Sequence, residues 1–99
     1  MQTRQIELSV NDAPIEVDYF VQGYIDHVMA GIVASLKGTG EIRRLQVSME
    51  NDNVAMRLNG RSVPINPFVN KIIRNTVVGM VSALKGVGEI SKLNISIAR

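Results

Sequence analysis

Two carboxylates, one imidazole and a group of basic side chains are the residues here whose types could do chemistry, and the carboxylates come as a matched pair. Glu41 and Glu89 stand in two near-copies of one segment, Ser35-Leu36-Lys37-Gly38-Thr39-Gly40-Glu41-Ile42 and Ala83-Leu84-Lys85-Gly86-Val87-Gly88-Glu89-Ile90. Brought together they could share a proton or hold a hard cation, although two carboxylates with no histidine beside them make a weak site. The glycines invite comparison with a phosphate loop. Such a loop aims backbone N–H groups from a helix N-terminus at the anion, whereas these glycines follow a helical run, where the dipole's negative end repels phosphate. Their spacing also departs from the phosphate-loop and dinucleotide patterns. The segment therefore reads as a helix stop, followed by a turn that drops Ile42 or Ile90 into the core.

His27 is the only histidine, and neither a serine nor a carboxylate stands in a nucleophile–base pattern with it. Between Asp26 and Val28 it falls off the main apolar stripe and is expected at solvent or at the rim of its helix. Tyr19 and Tyr24 stand at a helix start, where packing in the core or its rim is the default and a ligand cleft the alternative. With no cysteine in the chain, thiolate metal sites, disulfides and cysteine nucleophiles are excluded. No catalytic residue, no metal ligand set and no cofactor site is expected, and the chain reads as non-enzymatic.

The basic residues are unevenly placed. Residues 1 to 52 carry four basic and eight acidic side chains (4 − 8 = −4), while residues 53 to 99 carry seven basic ones against Glu89 alone (7 − 1 = +6). That polarity suits head-to-tail self-association, or an acidic partner on the second half. Arg57, Arg61 and Lys92 are the candidate nucleic-acid contacts, and Arg57 and Lys92 should share a polar sheet face with Arg44. A sheet that reads RNA also offers aromatics for stacking. Here Tyr19, Phe20, Tyr24 and Phe68 all belong to helix starts, which leaves backbone-directed electrostatic binding as the alternative function.

The elements that must position these residues follow from an internal duplication. The paired segments lie at a shift of 83 − 35 = 48, and the register holds without insertion: Asn11 meets Asn59, Phe20 meets Phe68, Gly31 meets Gly79 and Ser48 meets Ser96. Two units, about 5–51 and 53–99, each read strand, strand, helix, strand. Ile6, Leu8 and Val10 alternate with Glu7 and Ser9 as a half-buried strand does, and Asn59-Gly60 is a two-residue hairpin signal. Return strands through Ile15 and Val17, and through Val63 and Ile65, contain Pro14 and Pro64, which places them at sheet edges.

Asp18 and Asn66 suit helix N-caps, and Pro67 suits the first helical position. Apolar residues recur at Val21, Ile25, Val28, Ile32 and Leu36, and at Val69, Ile73, Thr76, Met80 and Leu84. Lys37 and Lys85 then complement the helix dipole, and Gly38 and Gly86 supply a left-handed stop. Third strands put Leu45, Val47, Met49, Leu93, Ile95 and Ile97 inward, and Glu50-Asn51-Asp52-Asn53 turns the first unit directly into the second.

The fold expected for residues 1–99 is a single α+β domain in two layers: six mostly antiparallel strands, as one sheet or a partly closed barrel, with two helices on one face. Gly31 with Ser35, and Gly79 with Ala83, place small residues four apart. They suit close packing of the two helices on each other, or a helix face that forms a homodimer. The longest apolar run, Met29 to Ala34, is far short of the roughly 20 residues a membrane span needs. The expectation is a cytoplasmic interaction or oligomerisation module whose partner is itself, with no membrane partner.

Overall fold

The computed structural model describes residues 5–36 and 41–99. Eight elements follow one another: β1 (Gln5–Val10), β2 (Ala13–Ile15), α1 (Tyr19–Ser35), β3 (Arg44–Glu50), β4 (Asn53–Leu58), β5 (Arg61–Ser62), α2 (Pro67–Ser82) and β6 (Lys92–Ala98). All pairings are antiparallel, in one sheet of order β2-β1-β6-β3-β4-β5. The sheet is open, so the α+β class holds and the barrel alternative does not.

Local chemistry dictates the strands and their turns. Along β3 every second residue, Leu45, Val47 and Met49, is buried, while Arg44, Gln46, Ser48 and Glu50 are exposed, as a sheet with one covered face requires. Three two-residue turns join neighbours, at Asn11-Asp12 (φ 52° and 67°), Asn51-Asp52 (47° and 71°) and Asn59-Gly60 (53° and 84°). Two left-handed residues in sequence give the turn whose twist matches that of the strands, and Asn, Asp and Gly tolerate that conformation best. The return strands are the sheet edges, as the prolines require. β5 is shorter than expected: it ends at Ser62, and Val63 adds a single bond from its N–H to Met56 O at 2.9 Å, so Val63, Pro64 and Ile65 lie past the strand.

The two central strands, β3 and β6, pair with each other, and each also pairs with a strand from the opposite half of the chain. Val47 faces Ile95 across the middle of the sheet, and 95 − 47 = 48. Leu8 faces Ile95 on β6 while Met56 faces Val47 on β3; since 56 − 8 = 48, the shift that aligns the sequence halves carries one ladder onto the other.

Both helices open on the caps expected of them. Asp18 Oδ1 accepts from Val21 N–H at 2.8 Å and Asn66 Oδ1 from Val69 N–H at 2.8 Å, with Pro67 at the first helical position. Their buried faces differ from the expected stripe. α1 buries Ile25, Met29 and Val33, and α2 buries Ile73, Val77 and Val81, while Val28, Ile32 and Met80 are only partly covered. Apolar residues occur on several sides of each helix, and contact with the sheet selected the i, i+4 row between them. The ends also come early. α1 stops at Ser35 with Leu36 extended, and α2 stops at Ser82. Gly86 does take a left-handed φ of 82°, but beyond the helix, and no basic residue occupies either last turn. The stop expected at Lys37 and Gly38 lies outside the described residues.

One core joins all of this: the buried residues of both helices meet those of β1, β3, β4 and β6 in one cluster, together with Ile42. The opposite sheet face is left polar.

Candidate functional site

The residues whose types could do chemistry are kept apart by this topology. β3 and β6 run antiparallel, with Arg44 opposite Ala98 and Lys92 opposite Glu50, so Glu41 and Glu89, each just before one of these strands, belong to opposite ends of the sheet. Seven residues at about 3.4 Å per residue put them on the order of 20 Å apart, and the carboxylate pair does not form. His27 is exposed midway along α1. Among the described residues no three His, Asp or Glu side chains cluster to hold a metal ion.

Instead, the backbone beside Glu41 and Glu89 is held by asparagine side chains. Asn11 Oδ1 accepts from the N–H groups of Ser91 and Lys92, both at 2.9 Å, and from Ser91 Oγ, while its Nδ2 donates to Glu89 O at 2.8 Å. Asn59 makes the equivalent clamp on the other half, accepting from Arg43 and Arg44 N–H and donating to Glu41 O at 2.7 Å. Each hairpin asparagine thus pins the start of the central strand that comes from the opposite half. The glutamates recur in sequence beside carbonyls that serve the fold.

The three candidate nucleic-acid contacts do not share one face. Gln46 pairs with both Arg57 and Ser96, which puts Arg44, Arg57 and Lys92 on the polar sheet face, as expected. Glu7 and Glu50 share that face. Lys92 Nζ lies 3.0 Å from Asp12 Oδ1, and the hydrogen bond and charge of Asp12, aided by Glu50, raise the lysine's pKa above its usual value. Arg57 donates to Gly60 O at 3.0 Å. Arg61 pairs with the buried Leu58 and so belongs to the opposite face, away from Arg57 and Lys92.

The outward side of the helix layer is the surface a monomer explains least. Tyr19 (83% exposed), Phe20 (74%), Phe68 (69%), Tyr24 (52%) and Ile72 (46%) are large apolar side chains in solvent, not the core or rim packing expected of the tyrosines. Phe20 and Tyr24 lie one turn apart with ring centroids at 6.2 Å. Among the described residues, Lys71 is the only Asp, Glu, Lys or Arg at an exposed position of either helix. A helix layer in contact with water alone would carry charge on that side. Phe20, Tyr24, Gly79, Met80 and Ala83 line an apolar groove of about 250 Å³ between the start of α1 and the end of α2, which also shows that the helices lie antiparallel.

Of the small residues expected at a helix contact, Gly31 and Gly79 are exposed, and a Cβ added at either would meet nothing within 4 Å. Neither glycine is therefore used for close approach within the chain. Ser35 Oγ turns back to Gly31 O at 3.0 Å.

Sequence reasoning did not find Asp26. It is 4% exposed and accepts from Arg99 at 2.7 and 3.2 Å; an acid next to a histidine in a helix gives no sign of burial, because the partner is 73 residues away.

Fold and surface together define a two-layer α+β protein with an open antiparallel sheet and an apolar, sparsely charged helix side. Searches against family models, curated proteins and solved structures return no match. No described helix is long and apolar enough to cross a membrane.

Proposed function

We propose that the protein is a non-enzymatic interaction module, built from two copies of a ββαβ unit, that works by associating with itself through the outward side of its helix layer. The observation that carries this reading is the exposure of Tyr19, Phe20, Tyr24, Phe68 and Ile72 on helices whose exposed positions hold Lys71 as their one charged residue. Contiguous exposed apolar surface of this kind marks a contact site, since water solvates it poorly. A cytoplasmic setting is consistent with a chain that contains no cysteine.

The alternative, nucleic-acid binding by the basic second half, has less support. Arg61 is on the other face from Arg57 and Lys92, and Glu7, Glu50 and Asp12 offset the sheet-face cations. Electrostatic binding to phosphates needs several free cations on one side.

Sedimentation equilibrium tests the leading reading. The intact protein is expected at twice its chain mass in the micromolar range, and Phe20→Asp with Phe68→Asp at the chain mass. A wild-type monomer at millimolar concentration would exclude it.

A further inference from the structure

We propose that the helix layer interlocks with a second copy of this chain about a two-fold axis in the plane between them, the aromatic end of each helix entering the small-residue end of a partner helix. This deepens, and rests on, the reading of that layer as the contact surface.

The relief of the layer supports it. Each helix is tall at its start, with Phe20 and Tyr24 on α1 and Phe68 and Ile72 on α2, and low near its end, with Gly31, Ala34 and Ser35 on α1 and Gly79, Ser82 and Ala83 at the end of α2. Because the helices are antiparallel, tall and low corners alternate around the face. A half-turn about an in-plane axis, along or across the helices, exchanges every tall corner with a low one, so the surface is complementary to itself. Isologous dimers need this property.

The low corners are vacant within the chain, since a Cβ at Gly31 or Gly79 meets nothing within 4 Å. Charge favours a second copy too. A face on which Lys71 is, among the described residues, the one exposed Asp, Glu, Lys or Arg offers little to a charged partner and repels its own image only weakly.

The size is adequate. Helices of 17 and 16 residues, rising about 1.5 Å per residue and about 10 Å wide, project an area on the order of 500 Å². Knobbed side-chain surface exceeds its projection, and a standard interface takes about 800 Å² per partner.

The test fills the low corners of the full-length protein. Gly31→Leu with Gly79→Leu adds side chains that project into open space in a single copy, so circular dichroism and amide protection of β3 and β6 should stay native while the dimer constant measured by sedimentation weakens at least 100-fold. An unchanged dimer constant in a natively folded double variant overturns the interlock and leaves the contact-surface reading standing. A wild-type monomer at millimolar concentration overturns both. Should the leucines perturb the fold, Phe20→Ala with Phe68→Ala removes the tall corners instead; the interlock again requires at least a 100-fold weakening and fails without it.

Discussion

Asp26, buried in the middle of α1, and Arg99, partly exposed just past β6, form an ion pair, 2.7 Å between Oδ1 and the guanidinium. A neighbouring place in the other half has the opposite polarity: Arg74 on α2, 48 residues after Asp26, bonds Asp52 in the turn after β3, one residue beyond the position that the same shift gives for Arg99. Each helix is thus tied by an ion pair to a residue just beyond a central strand, with acid and base exchanged. Burial separates them, since the Asp26 side chain is 6% exposed and that of Asp52 74%.

The two joints should differ in strength. Arg99→Ala strips a carboxylate with little access to water of its guanidinium and is expected to cost about 3 kcal/mol. Arg74→Ala breaks a solvated pair and should cost about 1 kcal/mol or less. Urea unfolding of both variants measures the difference, and equal losses would contradict it.

Asn11 separates backbone conformation from side-chain bonding. Its left-handed φ of 52° is open to glycine, so Asn11→Gly loses only the clamp on residues 89–92, about 1–2 kcal/mol. Asn11→Ala adds the left-handed penalty of about 1 kcal/mol more. The corresponding Asn59 changes should follow the same order, and the losses at the two sites should add, because the clamps are at opposite ends of the sheet. Thermal unfolding of the four single variants and the doubles tests both the order and the sum.

If two units complete one core, neither folds alone as a monomer. Fragments 5–51 and 53–99 are expected to be unfolded singly at low concentration and to regain strand and helix signal on mixing. A stable, folded monomeric half would refute the shared core.

Alkaline stability should carry the mark of Lys92. The pKa of Lys92 is raised in the folded state by Asp12, so the native form binds its proton more tightly and stability must fall as pH climbs through that pKa. The contribution is complete below the lysine's unfolded value of about 10.4 and is lost above the folded one. Lys92→Met should flatten the stability profile over that window and leave its slope near pH 7 as it was.

Much of the fold was legible because its causes are local. Asn59-Gly60, Asp18, Asn66 and Pro67 act within a few residues, and the predicted turn and caps are where those residues are. The alternation of Leu45, Val47 and Met49 depends only on having one covered face. The buried helix row was not legible, because Val28, Met29, Ile32 and Val33 are all apolar and only the sheet could choose among them. Asp26 was opaque for the reason that its partner is distant. The tyrosines were misjudged on bulk alone: core or rim packing is the default for Tyr19 and Tyr24, yet both stand in solvent on the side of α1 away from the sheet.

The position of β6 constrains the order in which the molecule can assemble. The last element of the chain fills the gap between β1 and β3, so every earlier strand emerges during synthesis before the neighbour that unites the halves exists. One hairpin, β1–β2, and one three-stranded meander, β3–β4–β5, must wait as separate, half-made sheets with open apolar faces. Closure is a late insertion of seven residues, and an interruption between Ser62 and Lys92 leaves β1 and β3 as two raw edges, suited to chaperone capture or aggregation instead of function.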